Sequence, residues 1–119
     1  MAQFTLQRSP TAAILSAHGD IDPEAAPAFR RALTEAASGG CSLLLVDMSG
    51  VSFLDSAGLA VLVSINRLLP LGQEIALCNV PRRMLRALDI AGTGRLMPVH
   101  AAGEPWAWPN VPAPRLEAP

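Results

Sequence analysis

Ser42-Leu43-Leu44-Leu45-Val46-Asp47 is apolar without alternation and ends in an acid. A strand of this kind has no face to give to water. It is buried on both sides, as in a parallel sheet covered by helices. Downstream, Leu59 to Leu69 is long, apolar and free of Pro and Gly, which predicts a helix from about Ala57 to Leu69. Between the two stands Phe53-Leu54-Asp55-Ser56-Ala57-Gly58-Leu59, where a buried strand stops and a helix starts. A serine at that junction can cap the helix, act as a nucleophile or carry a phosphate.

The rest of the chain fits an alternating pattern. Phe4 and Leu6 alternate with polar residues, Arg8-Ser9-Pro10 reads as a turn, and Thr11 to Ala17 reads as a second strand, so the first two strands form an antiparallel hairpin. Gly19-Asp20-Ile21-Asp22 ends that strand, with Asp22 as a helix N-cap and Pro23 at the first helical position. Phe29, Ala32, Leu33 and Ala36 recur at helical spacing, the regular helix beginning near Pro27 and stopping at Ser38-Gly39-Gly40. Ser49-Gly50 reads as a turn, and Pro70 and Gly72 end the second helix. Glu74 to Val80 is a further strand. Pro81 opens a short helix with Met84, Leu85 and Leu88 on one face, and Gly92-Thr93-Gly94 is a loop. Leu96 to His100 reads as a last strand, confined to an edge by Pro98. From Gly103 onward five prolines and no helical stripe predict an extended or disordered tail. The expected fold class is α/β: a single domain over 1–102, with a mixed, mostly parallel sheet and helices packed against it, followed by a Pro-rich tail over 103–119.

At 119 residues, half of them apolar, the chain is long enough for a real core. A formal net charge of −1 argues against a basic nucleic-acid surface. Cys41 and Cys78 have no metal or redox spacing and sit among apolar residues, so they read as buried free thiols of a reducing compartment. Met1-Ala2-Gln3-Phe4 lacks a basic n-region and an apolar h-region, and no apolar run approaches the ~20 residues of a membrane helix. A cytoplasmic location without membrane association is expected.

Enzyme motifs are lacking. No stretch reads as a phosphate or dinucleotide loop, and His18 and His100 stand alone, with no paired spacing for a metal. A hydrolase elbow wants Gly two residues before its serine, whereas Leu54 stands before Ser56. As an N-cap, Ser56 or Asp55 contributes about 1 kcal/mol, and a phosphate on Ser56 would meet a helix N-terminus, which favours anions. The apolar ring Leu59-Ala60-Val61-Leu62-Val63 is either buried against sheet and helix or partly exposed as a docking patch. Arg82, Arg83 and Arg86 read as a solvated face rather than a ligand site. Trp106 and Trp108 either pack back on the domain or anchor a partner.

Asp47-Met48-Ser49-Gly50-Val51-Ser52-Phe53-Leu54-Asp55-Ser56-Ala57-Gly58-Leu59-Ala60 resembles the signature of STAS-domain anti-sigma-factor antagonists, which reads Asp-Leu-Ser-x-Val-x-Phe-hydrophobic-Asp-Ser-Ser/Thr/Ala-Gly-Leu. Gly19-Asp20-Ile21-Asp22 is similar to the family's Gly-Glu-Leu-Asp loop, and Ala26-Pro27 also fits. The resemblance spans about residues 4 to 100. It implies a phospho-regulated binding module and no enzyme, cofactor or metal. Unphosphorylated, such a domain sequesters an anti-sigma factor that is itself a serine kinase of the histidine-kinase ATPase fold, and a sigma factor is released. The kinase, which binds the ATP, phosphorylates the serine after the Asp, here Ser56, and a phosphatase resets it. Asp20, Ile21, Asp22, Asp55, Ser56, Ala57, Gly58 and Leu59 are the implied partner-binding residues. The alternative is a non-switching STAS subunit of a transporter or sensory assembly. Two departures stand out: Ala57 removes a second hydroxyl found in many members, and the tail replaces the family's final helix.

Overall fold

The computed structural model describes residues 2–114. In order its elements are β1 (Gln3–Arg8), β2 (Ala12–Ile21), α1 (Ala26–Ser38), β3 (Leu43–Leu54), α2 (Ser56–Leu68), β4 (Glu74–Val80), α3 (Arg82–Ile90), α4 (Thr93–Leu96) and β5 (Val99–Ala101). The strands form one sheet in chain order, β1-β2-β3-β4-β5. β1 and β2 pair antiparallel as a hairpin, and every later pairing is parallel. This is the α/β, mixed and mostly parallel architecture expected of the sequence.

β3 lies at the centre and is closed on both faces from Leu44 to Met48. Leu44 and Val46 are 1% and 0% exposed and point with Leu15 and Leu77 into a core shared with Phe29 and Leu33 of α1, Leu62 of α2 and Leu88 of α3. Leu45, also 0% exposed, points the other way with Ala12, Ala76 and Cys78. The strand pattern predicts helical cover there too, but the cover is the Pro-rich tail, whose Trp106, Trp108 and Val111 pack against that face. Up to residue 114 the tail is irregular yet seated on the sheet; 115–119 lie outside the described residues. Proline suits such a strap, because it has no N–H to satisfy and loses little freedom on ordering.

The strap is pinned at His100 of β5. His100 Nδ1 accepts the Asn79 N–H at 3.2 Å, so Nε2 carries the proton and faces the Glu104 and Pro105 carbonyls at 3.2 and 3.1 Å. Its ring meets both indoles edge-on, with centroids 5.3 and 5.9 Å away. The indoles lie 5.0 Å from each other, and Trp106 Nε1 donates to the Val111 carbonyl at 2.6 Å.

Four local readings are corrected. Ser49-Gly50 is not a turn: β3 runs through it to Leu54, held by pairing His18 with Gly50 and Gly19 with Val51. A Cβ on residue 50 would run into the His18 ring, so the glycine serves the pairing. β2 likewise continues to Ile21 through two register shifts, with Gly19 at φ +88°, a backbone that only glycine adopts freely. Asp22 does not cap α1. Its carboxylate accepts the Ala25 N–H at 2.9 Å, and its carbonyl accepts those of Ala25 and Ala26, closing a turn before the helix starts at Ala26. Pro27 sits in the first helical turn, where an N–H needs no intrahelical acceptor. Finally, residues after Gly92 form the short helix α4, and the last strand starts at Val99.

Leu44→Ala should cost about 2–5 kcal/mol in a denaturant titration, and a loss under about 1 kcal/mol would contradict the two-sided burial. A second expectation concerns Cys78, paired with Asp47 across β3 and β4. Burial, and secondarily the Asp47 carboxylate, pushes its thiol from 9.0 up to about 12. Above the unfolded value, the unfolded chain loses a proton that the native state keeps. Stability is therefore fully present below about pH 9 and falls as the pH rises toward about 12. All nine basic residues are arginine and tyrosine is absent, so no lysine or phenol titrates in this window. The denaturation midpoint should drop on raising the pH through this window, and the drop should shrink in Cys78→Ala.

Candidate functional site

β2 and β3 outrun β4. The β3–β4 pairing ends at Asp47–Cys78, whereas β2 and β3 continue side by side to Asp20–Phe53 and Ile21–Leu54. The two motifs separated in sequence thus end on one rim, where parallel strands present their C-terminal ends. The Asp55 N–H donates to the Ile21 carbonyl at 3.3 Å, sewing the start of α2 to the end of β2.

At that start the capping and the hydroxyl belong to different residues. Asp55 is extended, with φ −104° and ψ −171°, and its Oδ1 accepts the N–H groups of Ala57 at 2.9 Å and Gly58 at 3.2 Å. That is N-cap geometry. Ser56 is the first residue of α2; it is exposed, and among the described residues its hydroxyl makes no hydrogen bond. The alternative left open by the sequence resolves here: Asp55 caps, and Ser56 is free. Neither histidine is bonded to it, His18 facing Gly50 and His100 facing Asn79 and the tail.

Of the residues singled out by sequence, Asp20 and Ser56 are exposed, while Asp22, Asp55, Ala57 and Leu59 are half-buried. Ile21 and Gly58 are buried. They hold the rim together from inside and do not form its surface. A Cβ at residue 58 would run into Leu54 Cδ1 and lie 2.9 Å from Ile21 Cγ2. The apolar ring of α2 is mostly core, with Val61 and Leu62 buried and Ala60 exposed. Asp20, Asp22 and Glu24 line one acidic hollow with Ala25 and Ala28. On the other side Arg83 Nη2 donates to the Val51 carbonyl at 2.6 Å. This bond, and the 52% exposure of Phe53, were not singled out from sequence; a large aromatic inside the strand-to-helix junction is the signal that could have done so. Among the described residues no group of three His, Cys, Asp or Glu could hold a metal ion, and no helix is long and apolar enough to cross a membrane.

The family model described as Mlab, STAS domain, matches residues 4–98. The anti-sigma F factor antagonist of Paenibacillus polymyxa is 28% identical over 89 residues, covering 73% of this chain and 76% of that protein. The crystal structure of an anti-sigma factor antagonist from Mycobacterium paratuberculosis superposes with a TM-score of 0.78 at 22% identity, over 84% of this chain and 86% of that one. The phosphorylated form of the Bacillus cell fate determinant SpoIIAA gives a TM-score of 0.62 at 21% identity, over 82% and 90%.

Gly58→Ala should destabilise the protein by about 1–3 kcal/mol, the range of overpacking in a closed site, because Ile21 and Leu54 fill the space a methyl needs. Thermal denaturation reads this directly, and a neutral substitution would mean that α2 is not seated on Ile21.

Proposed function

The chain belongs to the STAS-domain family, and from that premise we propose that it is an anti-sigma-factor antagonist, a non-catalytic binding module switched by phosphorylation of Ser56. One observation carries the reading: Asp55 satisfies the helix N-terminus, so the Ser56 hydroxyl stands exposed and unengaged on the rim. The name of the Paenibacillus relative supports the same role, and SpoIIAA, which shares the fold, has a phosphorylated form. The proposed partners are an anti-sigma factor that is a serine kinase, with ATP bound on its side, and a phosphatase acting on phospho-Ser56. The proposed contact surface is Asp20, Asp22, Asp55, Ser56, Ala57 and Leu59, with Ile21 and Gly58 shaping it from beneath.

The physics of the switch is local. A phosphate adds about −1.5 to −2 charges to a rim that already carries Asp20, Asp22 and Asp55. A partner shaped to a neutral hydroxyl then meets stranded or like charge, at a cost of several kcal/mol. Folding is spared, because an anion at a helix N-terminus is favourable by ~0.3–1 kcal/mol.

Ser56→Ala should bind the cognate serine kinase constitutively and resist phosphorylation. Ser56→Asp should stay folded and bind at least about tenfold more weakly, a difference of about 1.4 kcal/mol. Titration of both variants against the kinase with nucleotide present decides the matter. Equal affinities would reject the switch in favour of a non-switching interaction subunit.

A further inference from the structure

The first turn of a helix favours acids, because its unpaired N–H groups and aligned peptide dipoles make that end positive. α3 is built the other way. Arg82 and Arg83 are its first two residues, Arg86 follows within about a turn, all three are exposed, and no acid stands in the first turn. Among the described residues only Arg83 has a hydrogen-bond partner, the Val51 carbonyl. Arg86 has Asp89 three residues on along the same face, but Arg82 and Arg83, at the positive end of the helix, face no acid in the first turn, and that costs the free protein stability. Such local disfavour is expected where a residue serves function. The Arg83–Val51 bond also fixes the cluster to β3 two residues before exposed Phe53. Arginine beside an exposed aromatic is the composition of a protein-binding hot spot.

We propose that Arg82, Arg83 and Arg86, with Phe53, form a second arm of the rim that takes an acidic segment of the protein partner docking at Ser56. The proposal rests on the reading of Ser56 given above. Charge complementarity selects the occupant. Asp20, Asp22 and Glu24 lie on the β2 side of the rim and the arginines on the β4 side. A dipolar rim fits a protein surface in one orientation, basic residues over Asp20 to Glu24 and acidic ones over α3. A uniformly anionic nucleic acid or membrane would be repelled by half of it. A phosphate on Ser56 enlarges the acidic half and leaves the arginine half unchanged, so the arm contributes in both states and the switch acts on top of it.

Two probes separate the arm from the switch. A poly-glutamate peptide titrated into the isotope-labelled full chain should shift amide signals of α3 and of Ser52 and Phe53, less so at higher salt, and not in the double variant R82E/R86E. No shift, or the same shift in the variant, overturns the arm. Glutamate suits the first helical position at residue 82 and opposes Asp89 from residue 86, so the two effects offset and R82E/R86E should melt within a few degrees of the wild type, which excludes unfolding as the cause of lost binding. Against the serine kinase, R82E/R86E should weaken binding about tenfold, or about 1.4 kcal/mol, in both the Ser56→Ala and Ser56→Asp backgrounds. Unchanged affinity with an intact Ser56 effect overturns the arm and leaves the switch. Arginine-dependent binding with equal Ser56 variants overturns the switch and leaves the arm. Tighter binding of single-stranded DNA or of phosphatidylglycerol vesicles than of the peptide overturns the assignment to a protein partner.

Discussion

The first half of β3 has no side to spare for water, and that condition organises the molecule. One face calls for helices, and α1, α2 and α3 supply them. The other calls for a second layer, which the chain makes from an irregular strap carrying Trp106, Trp108 and Val111. Burying a large apolar side chain is worth about 1.5–3 kcal/mol, so a few aromatic contacts can do the work usually given to a helix. With both layers in place the strand is closed from Leu44 to Met48, and pairing with β2 alone carries it on to Leu54. The serine-bearing junction is thus tied to the buried centre of the sheet through the β2–β3 pairing.

At the start of α2 the capping carboxylate and the free hydroxyl belong to adjacent residues. Asp55 spends its carboxylate on backbone N–H groups, Gly58 lets Ile21 and Leu54 close beneath the helix, and Ser56 between them has no structural duty. A residue without structural duty can be modified without unfolding its neighbours. The acidic residues of the β2–α1 turn and the arginines of α3 then set the charge on either side of it. The rim is in this sense a rigid frame holding one free group.

Most of the frame was legible in the sequence, since it rests on patterns of long reach: the unalternating β3 run, the helix after it and the hairpin. That β2 and β3 end on one rim was legible too, because parallel strands end on the same side. Ser49-Gly50 misled because the dipeptide favours turns locally, whereas pairing with His18 and Gly19 overrides that preference. The burial of Ile21 was missed for a related reason. With the strand carried through Gly19, the inward set Ala13, Leu15 and Ala17 extends by period two to Ile21. The seating of the tail left no periodic trace. It depends on indole and imidazole shapes meeting a flat apolar face, and proline content alone argues for an extended segment. The α3 arginines looked like an ordinary wet surface, since nothing in sequence shows Arg83 reaching the Val51 carbonyl.

The two tryptophans both lie in the strap, one on the other beside His100, and the chain has no tyrosine. Its indole emission, with no tyrosine to overlay it, therefore originates entirely on the face of the sheet away from the three main helices. The protein carries a built-in optical reporter of whether the strap is seated. The same placement puts that reporter on the other face of the sheet, so a partner or a phosphate at the rim changes the intrinsic fluorescence only if its effect travels through the sheet.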